Sequence, residues 1–341
     1  MRKTRDAQAT LSTIASEAGV SIATVSRVAN GQLNRANPKT VEKIQALLEA
    51  RNYRPNNIGR SLRSRQSRIV AMLAPNLDNP AMGAIATSTE VALREAGYVM
   101  ILCDTHDQAA LQDEYLHAMR AQSVEGYVIV SAVRSPTLTK FLERAEPIVL
   151  VGRRQTSVKR PVPFVGIDNR AAGALAADFL LDSGVRAPAV IHASLSSSAV
   201  ADRVEGFIER LLARGLPRNE IPKADSDHLQ HLFAGYEAMK KLSAETGRPR
   251  GLFCVSDLMA YGAYRFARES GVRVPDDCLI VGVDDNSLND WIAPWLSSVH
   301  IPYQDYGAAV VDQLQAIWSD ENASDRLLQH QLVVRSPDLA K

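Results

Sequence analysis

Cysteine is scarce in this chain: Cys103, Cys254 and Cys278 are the three among 341 residues. They are odd in number and widely spaced, and each sits in or beside an apolar run (MILC, LFCV, CLIVGV). A disulfide framework is not the organising device, and buried free thiols in a reducing compartment are expected. No stretch approaches the ~18 apolar residues of a membrane span. The first ten residues are polar and contain no apolar leader segment, so a cytoplasmic location is expected. There is no P-loop, no G-x-G-x-x-G and no G-x-S-x-G elbow. The serines Ser194, Ser196, Ser197 and Ser198 have no His–Asp pairing beside them. These absences argue against an enzyme and against a cofactor. Asp225, Asp227, His228 and His231 are metal-ligand types, but nothing fixes four ligands. A polar loop leading into a helix is the simpler reading, and no metal is expected.

What the chain does have is an uneven distribution of charge. Formal net charge is +1, yet residues 1–68 carry thirteen Lys and Arg against four acids, a net of +9. The remainder holds 26 basic against 34 acidic residues, a net of −8. A basic head on an acidic body suits a phosphate-backbone binder with a separate regulatory part. The head is also patterned. In LSTIASEAGVSIATVSR (residues 11–27), Leu11, Ile14, Ala15 and Ala18 form one apolar helical face. Thr10 can cap that helix and Gly19 can end it. Ser21 caps a second helix on which Val25 and Val28 point back at the first, leaving Ile22, Ala23, Thr24, Ser26 and Arg27 outward. This is a helix-turn-helix, whose second helix is held out for the DNA major groove. A third helix, capped by Asn37 with Pro38 in its first turn, packs through Val41, Ile44, Leu47 and Leu48. The headpiece is assigned to residues 1–54. The basic segment 55–68 lacks the apolar residues for a core of its own and reads as a linker, helical only when covered.

After residue 68 strands and helices alternate: RIVAMLAP, VMILCD, VEGYVIVSA and PIVLVGRR as strands, then a second round with PAVIHA, GLFCVSD and CLIVGVDDN. Such alternation predicts an α/β core of two doubly wound parallel sheets, with a ligand crevice at the carboxyl ends of the strands. At 46% hydrophobic, the chain can bury a core of that size.

Several motifs then occur in order: Ile14-Ala15, Ala18-Gly19-Val20-Ser21 and Thr24 to Val28; Asn52-Tyr53-Arg54-Pro55-Asn56; NLDNP; EGYVIV; GIDNRAAG; RVEGF; FCVSDLMAYGA; and VPDDCLIVGVDDN. Along its whole length the chain resembles the lactose/galactose-repressor family of bacterial transcription regulators. The resemblance implies a helix-turn-helix headpiece, a hinge helix and a two-lobed core like that of periplasmic binding proteins. The first lobe is expected at 69–167 and 299–327, the second at 168–298 and 328–341. Contacts to palindromic operator DNA are expected from Thr10, Ser21, Ile22, Ala23, Thr24, Ser26, Arg27, Asn30 and Thr40. In this set Arg27 suits a guanine edge and Ile22 and Ala23 suit thymine methyls. Asn56, Ile58, Gly59, Leu62 and Arg63 are expected at the minor groove, with Leu62 as the wedge that kinks the duplex. Gly59 stands where relatives usually carry Ala, at a cost to the hinge helix of about 1 kcal/mol.

The effector, a small sugar or sugar-like compound, is expected to meet Asp78, Asn79, Ala81, Met82, Asp168, Ser197, Arg203, Ser256 and Asp284. Arg203 and Asp284 take the positions that clamp ligand hydroxyls in sugar-binding relatives. Ser197 and Ala199 depart from the purine-reading branch. Leu229 or Gln230 stands where many sugar binders have an aromatic platform. A homodimer is expected, its face carried by residues 85–93 and 259–266, with no heptad-repeat tail to join dimers. Two readings remain beside this one: a two-lobed transport-type sugar-binding protein with no DNA role, which the basic headpiece opposes, and an enzyme on the same scaffold.

Overall fold

The computed structural model describes residues 10–29, 31–51, 53, 67–155, 161–193 and 197–335. The chain falls into two compact units, residues 1–67 and 68–341. The linker residues 54–66, with Asn56, Ile58, Gly59, Leu62 and Arg63, lie outside the described residues, as does Asn30.

In the first unit, α1 (Leu11–Ala18), α2 (Ile22–Ala29) and α3 (Pro38–Ala50) enclose a small core. Thr10 and Thr13 cap each other reciprocally: the Thr13 amide donates to the Thr10 hydroxyl at 3.2 Å, and the Thr10 amide to the Thr13 hydroxyl at 2.9 Å. Gly19 closes α1 at φ 71, a left-handed conformation that a Cβ would strain. Asn37 Oδ1 accepts from the Lys39 amide at 3.1 Å and starts α3. Ile14, Val25 and Ile44 are fully buried, each contributing about 1.5–3 kcal/mol from burial.

The second unit begins with β1 (Ile69–Ala74), α4 (Pro80–Glu95), β2 (Val99–Asp104), α5 (Ala109–Ala121), β3 (Gly126–Val130), α6 (Pro136–Glu143), β4 (Ile148–Val151) and β5 (Phe164–Gly166). The chain then crosses to a second lobe: α7 (Asn169–Asp182), β6 (Ala189–His192), α8 (Ser198–Ala213), β7 (Lys223–Asp225), α9 (His231–Thr246), β8 (Gly251–Cys254), α10 (Asp257–Glu269), β9 (Leu279–Asp284), α11 (Asn289–Ile292) and β10 (Ser297–His300). It returns to the first lobe with α12 (Tyr306–Trp318) and β11 (Arg326–Leu327) and ends its described course with β12 (Gln331–Val333) in the second.

The first sheet has the order β11–β5–β4–β3–β1–β2 and the second β12–β10–β9–β8–β6–β7. Sheet alternation explains the apolar runs. Val70 and Met72 face one helical layer with Ile85 and Leu93, while Ala71 and Leu73 face the other with Leu116 and Phe141. Both faces of each central strand are covered, so the strands read as continuous apolar sequence rather than alternation.

The structure differs from the sequence reading in several places. The apolar pattern of LLQHQLVVR (residues 327–335) reads as one short strand, and the structure splits it. Leu327 ends β11 in the first sheet, and β12 pairs antiparallel with β10 in the second, Val299 opposite Leu332, so residues 328–330 cross between lobes. The second sheet is therefore not wholly parallel. Residues 299 and 300 belong to β10 and the second lobe, so the return to the first lobe starts after them. Strands β5 and β7 went unread because elements of 3 residues carry little periodic signal, and helix α6 (Pro136–Glu143) went unread as well.

Among the described residues, two helix pairs of the second lobe make unusually close crossings. A Cβ on Gly173 would lie 2.0 Å from the Arg203 carbonyl oxygen, and one on Gly206 would lie 2.1 Å from that of Arg170. Gly235 and Gly262 do the same between α9 and α10, at 2.0 Å from the Met259 and Leu232 oxygens. The glycines of GIDNRAAG and RVEGF thus let α7 and α8 touch backbone to backbone, and that contact fixes where Arg203 projects.

Candidate DNA-binding face and effector cleft

Helix α2 turns Val25 and Val28 into the headpiece core and leaves Ser21, Ile22, Ala23 and Arg27 exposed. Ile22 is 49% exposed, more than packing against the core would leave. Thr24 and Ser26 are half-buried beside them, as is Thr40 in the first turn of α3. Some hydroxyls expected to contact DNA are already engaged. That of Thr10 takes part in the α1 cap. That of Ser21 accepts from the Thr24 amide at 3.2 Å and lies 2.9 Å from the Thr24 hydroxyl. Arg35 and Lys39 of the same unit are exposed as well.

In the second unit, strand ends from both lobes converge on a partly open cavity of about 200 Å³. Asn79, Ala81, Met82, Ser197, Arg203, Ser256 and Asp284 line it. Asp78 and Asp168 do not. Asp78 is exposed in the turn before α4. Asp168 Oδ1 accepts from the Ala171 amide at 3.0 Å as the cap of α7. Its carboxylate faces a separate groove shared with Arg154, Ser198 and Asp202. The unsatisfied amides of a helix start compete for a carboxylate at that position, and here they hold it.

Arg203 is held in the cavity wall by two hydrogen bonds. Its Nε donates to Asn169 Oδ1 at 2.9 Å and its Nη1 to the Val255 carbonyl at 2.7 Å. Nη1 also lies 3.9 Å from Asp284 Oδ1. Asp284 in turn accepts from the Tyr303 hydroxyl at 2.7 Å. Burial pushes the Asp284 carboxyl above its ordinary range, against the pull of Arg203 and Tyr303. The residue has φ 117, a conformation costly for a side-chain-bearing residue by about 1–3 kcal/mol. It turns Asp284 into the cavity while Asp285 faces away, to Arg335 at 2.6 Å and His300 at 2.9 Å.

Behind Asp284, the buried Asp257 carboxylate accepts from Ser298 Oγ at 2.6 Å and from the Asn286 amide and Asn289 Nδ2, both at 2.8 Å. Desolvation, with Asp284 nearby, pushes it up to about 7.

Sequence reasoning missed several cavity residues: Asn76, Asp107, Ser131, Arg153, Asn169, Asp227, His228, His231, Tyr303 and Tyr306. Most follow directly on strand or loop ends, the one signal that pointed to them. His231 Nδ1 lies 3.1 Å from Ser256 Oγ, and burial lowers its pKa. The loop 226–230 carries no metal cluster: among the described residues no group of three or more His, Cys, Asp and Glu could hold an ion. No described helix is long and apolar enough to cross a membrane.

Residues 10–56 match the model of bacterial regulatory proteins of the lacI family, and residues 177–336 match that of a periplasmic binding protein-like domain. Catabolite control protein A of Priestia megaterium is 30% identical over 322 residues, 94% of this chain and 96% of that protein. This chain belongs to the lacI family. It is a DNA-binding transcriptional regulator. The ribose operon repressor of Halalkalibacterium halodurans is 31% identical, over 88% of this regulator and 87% of that one. The fold of the lac repressor dimer bound to operator and the anti-inducer ONPF matches at a TM-score of 0.87, with 23% identity over 97% and 99% of the two chains.

Proposed function

We propose that this regulator is a homodimeric repressor in the cytoplasm, and that a small sugar-like ligand between the lobes sets its affinity for a palindromic operator. The observation that carries the reading is the cavity itself: a largely buried Arg203–Asp284 pair in a space lined from both lobes. A fixed guanidinium beside a carboxylate offers donors and an acceptor to neighbouring hydroxyls. The name of the ribose operon repressor supports a sugar, and the lacI-type headpiece supports operator DNA. A ligand touching both lobes favours one lobe orientation, and that preference is what can change operator affinity. Recognition falls to the exposed face of α2, and residues 55–63 are assigned to the minor groove with Leu62 as the wedge. A transport-type sugar binder has no use for the exposed recognition face, and the enzyme reading has no catalytic motif behind it.

Fluorescence anisotropy with an operator selected in vitro from palindromic libraries tests this. A panel of sugars is added to the protein–operator complex. At least one sugar is expected to shift operator affinity, and Arg203→Ala should weaken its binding roughly 10- to 100-fold, the worth of hydrogen bonds to a charged group. A purine base or an amino acid that shifts operator affinity where no sugar does would overturn the assignment.

A further inference from the structure

Strands β6, β8 and β9 run toward the cleft, where Ala193, Val255 and Asp284 at their ends line the cavity. Where the same strands begin, at the far end of the second lobe, lies another cavity of about 610 Å³. Arg186, Arg248 and Arg250 line it against one carboxylate, that of Asp276. All three arginines are exposed. A fourth arginine engages the acids beside them. Arg273 Nη2 donates to Asp277 Oδ1 at 2.7 Å and its Nε to Asp277 Oδ2 at 2.9 Å, while Nη1 reaches Asp276 Oδ2 at 3.4 Å. Of the three lining arginines, among the described residues, Arg248 alone donates a side-chain hydrogen bond, from Nη2 to the Ser270 carbonyl at 2.9 Å.

Arginines also gather at helix C-termini, where the last carbonyls attract them. Helices α7 and α9 end at this cavity, but backbone amides close them. Those of Ser183, Gly184 and Val185 donate to the Phe179, Leu181 and Leu180 carbonyls, and that of Gly247 to the Ser243 carbonyl. The helix ends therefore do not account for Arg186 and Arg250. Three guanidinium groups around one space repel each other until an anion comes between them.

We propose that this groove binds a nucleoside phosphate, its phosphates held by Arg186, Arg248 and Arg250 and its rings lying on the prolines Pro222, Pro249 and Pro275. Planar guanidinium forks match phosphate oxygens in pairs. The prolines are half-buried and offer a rigid apolar wall, which inorganic phosphate would leave wet. The volume falls within the ~300–1,000 Å³ of small-molecule sites. The groove is independent of what the cleft binds, since the sheet separates the two.

Titration calorimetry on the full chain tests the proposal, with operator duplex saturating so that the basic head is occupied. The probes are ATP, adenosine and pyrophosphate. ATP should bind saturably and more tightly than either of the others. Arg186→Gln and Arg250→Gln should each weaken ATP roughly 10- to 100-fold, with operator affinity and thermal midpoint unchanged. Both side chains are exposed, so neither substitution opens the core. Adenosine binding as tightly as ATP would remove the phosphate contacts, and pyrophosphate binding as tightly would remove the ring contacts. ATP affinity unchanged in both variants would place its site elsewhere. Operator affinity falling in step with ATP affinity would make the arginines a DNA-backbone contact. No saturable ATP binding by the wild type overturns the proposal outright.

Discussion

Arg27 stands on the exposed side of α2, one residue before the buried Val28, so its position on the recognition face follows from the packing of its neighbour. Arg27→Ala should cost about 1–3 kcal/mol of operator binding and relax one base preference per half-site. Competition binding against operators varied one base pair at a time measures both. An equal loss on every sequence would make Arg27 a phosphate contact instead.

His231 leads to a prediction in pH. Burial lowers its pKa from 6.5, so below that value the unfolded chain takes up a proton that the native state refuses. This contribution to stability is intact above pH 6.5 and declines as the pH falls toward the native pKa. The wild type should therefore lose stability relative to His231→Gln between pH 7 and pH 5.5, as read by urea denaturation of each. A constant difference would contradict it.

The sequence shows residues of these kinds unequally. Arg203 and Asp284 are visible because motifs carry them. Asp168 is visible for the wrong purpose, since a carboxylate before a helix serves as a cap as readily as it binds a ligand. Arg153 is one arginine among many in the sequence, and only its burial and its idle Nε set it apart.

Helix α8 owes its placement to glycine. Where α7 crosses it, Gly173 and Gly206 each face a backbone carbonyl of the other helix, and Arg203 lies one turn before Gly206. Gly206→Ala would place a methyl 2.1 Å from the Arg170 oxygen, and backbone cannot yield as a flexible side chain can. Destabilisation of about 1–3 kcal/mol or more is expected, together with weakened ligand binding as Arg203 moves. Urea denaturation and calorimetry on the same preparation measure the two. A variant with wild-type values in both would show that α7 and α8 have room to separate.

At this scale the sequence is read well where caps or unbroken apolar runs mark an element. The headpiece helices and the central strands were legible from caps and apolar runs. The short β5 and β7 were not, because strands of three residues contain too few positions to show a period and are specified by the neighbours they pair with. The split of residues 327–335 between two sheets is a tertiary decision with no local signature.

The whole molecule joins a basic head to an acidic body, and the lobes of the body are linked by chain crossings after β5, β10 and β11. On the proposed reading, a ligand that contacts both lobes reports its presence as a change in lobe orientation about those crossings. Linkage makes the consequence quantitative: if ligand changes operator affinity by some factor, operator changes ligand affinity by the same factor. The positive head adds a condition, because phosphate contacts release counterions and operator affinity must fall steeply with salt. Both affinities are therefore to be compared at one ionic strength.

The most direct test is that closed cycle: operator affinity with and without saturating ligand, and ligand affinity with and without saturating operator, on the intact protein. The account predicts one factor, equal in both directions and absent in Arg203→Ala. A sugar that binds in the cleft and leaves operator affinity unchanged would contradict it.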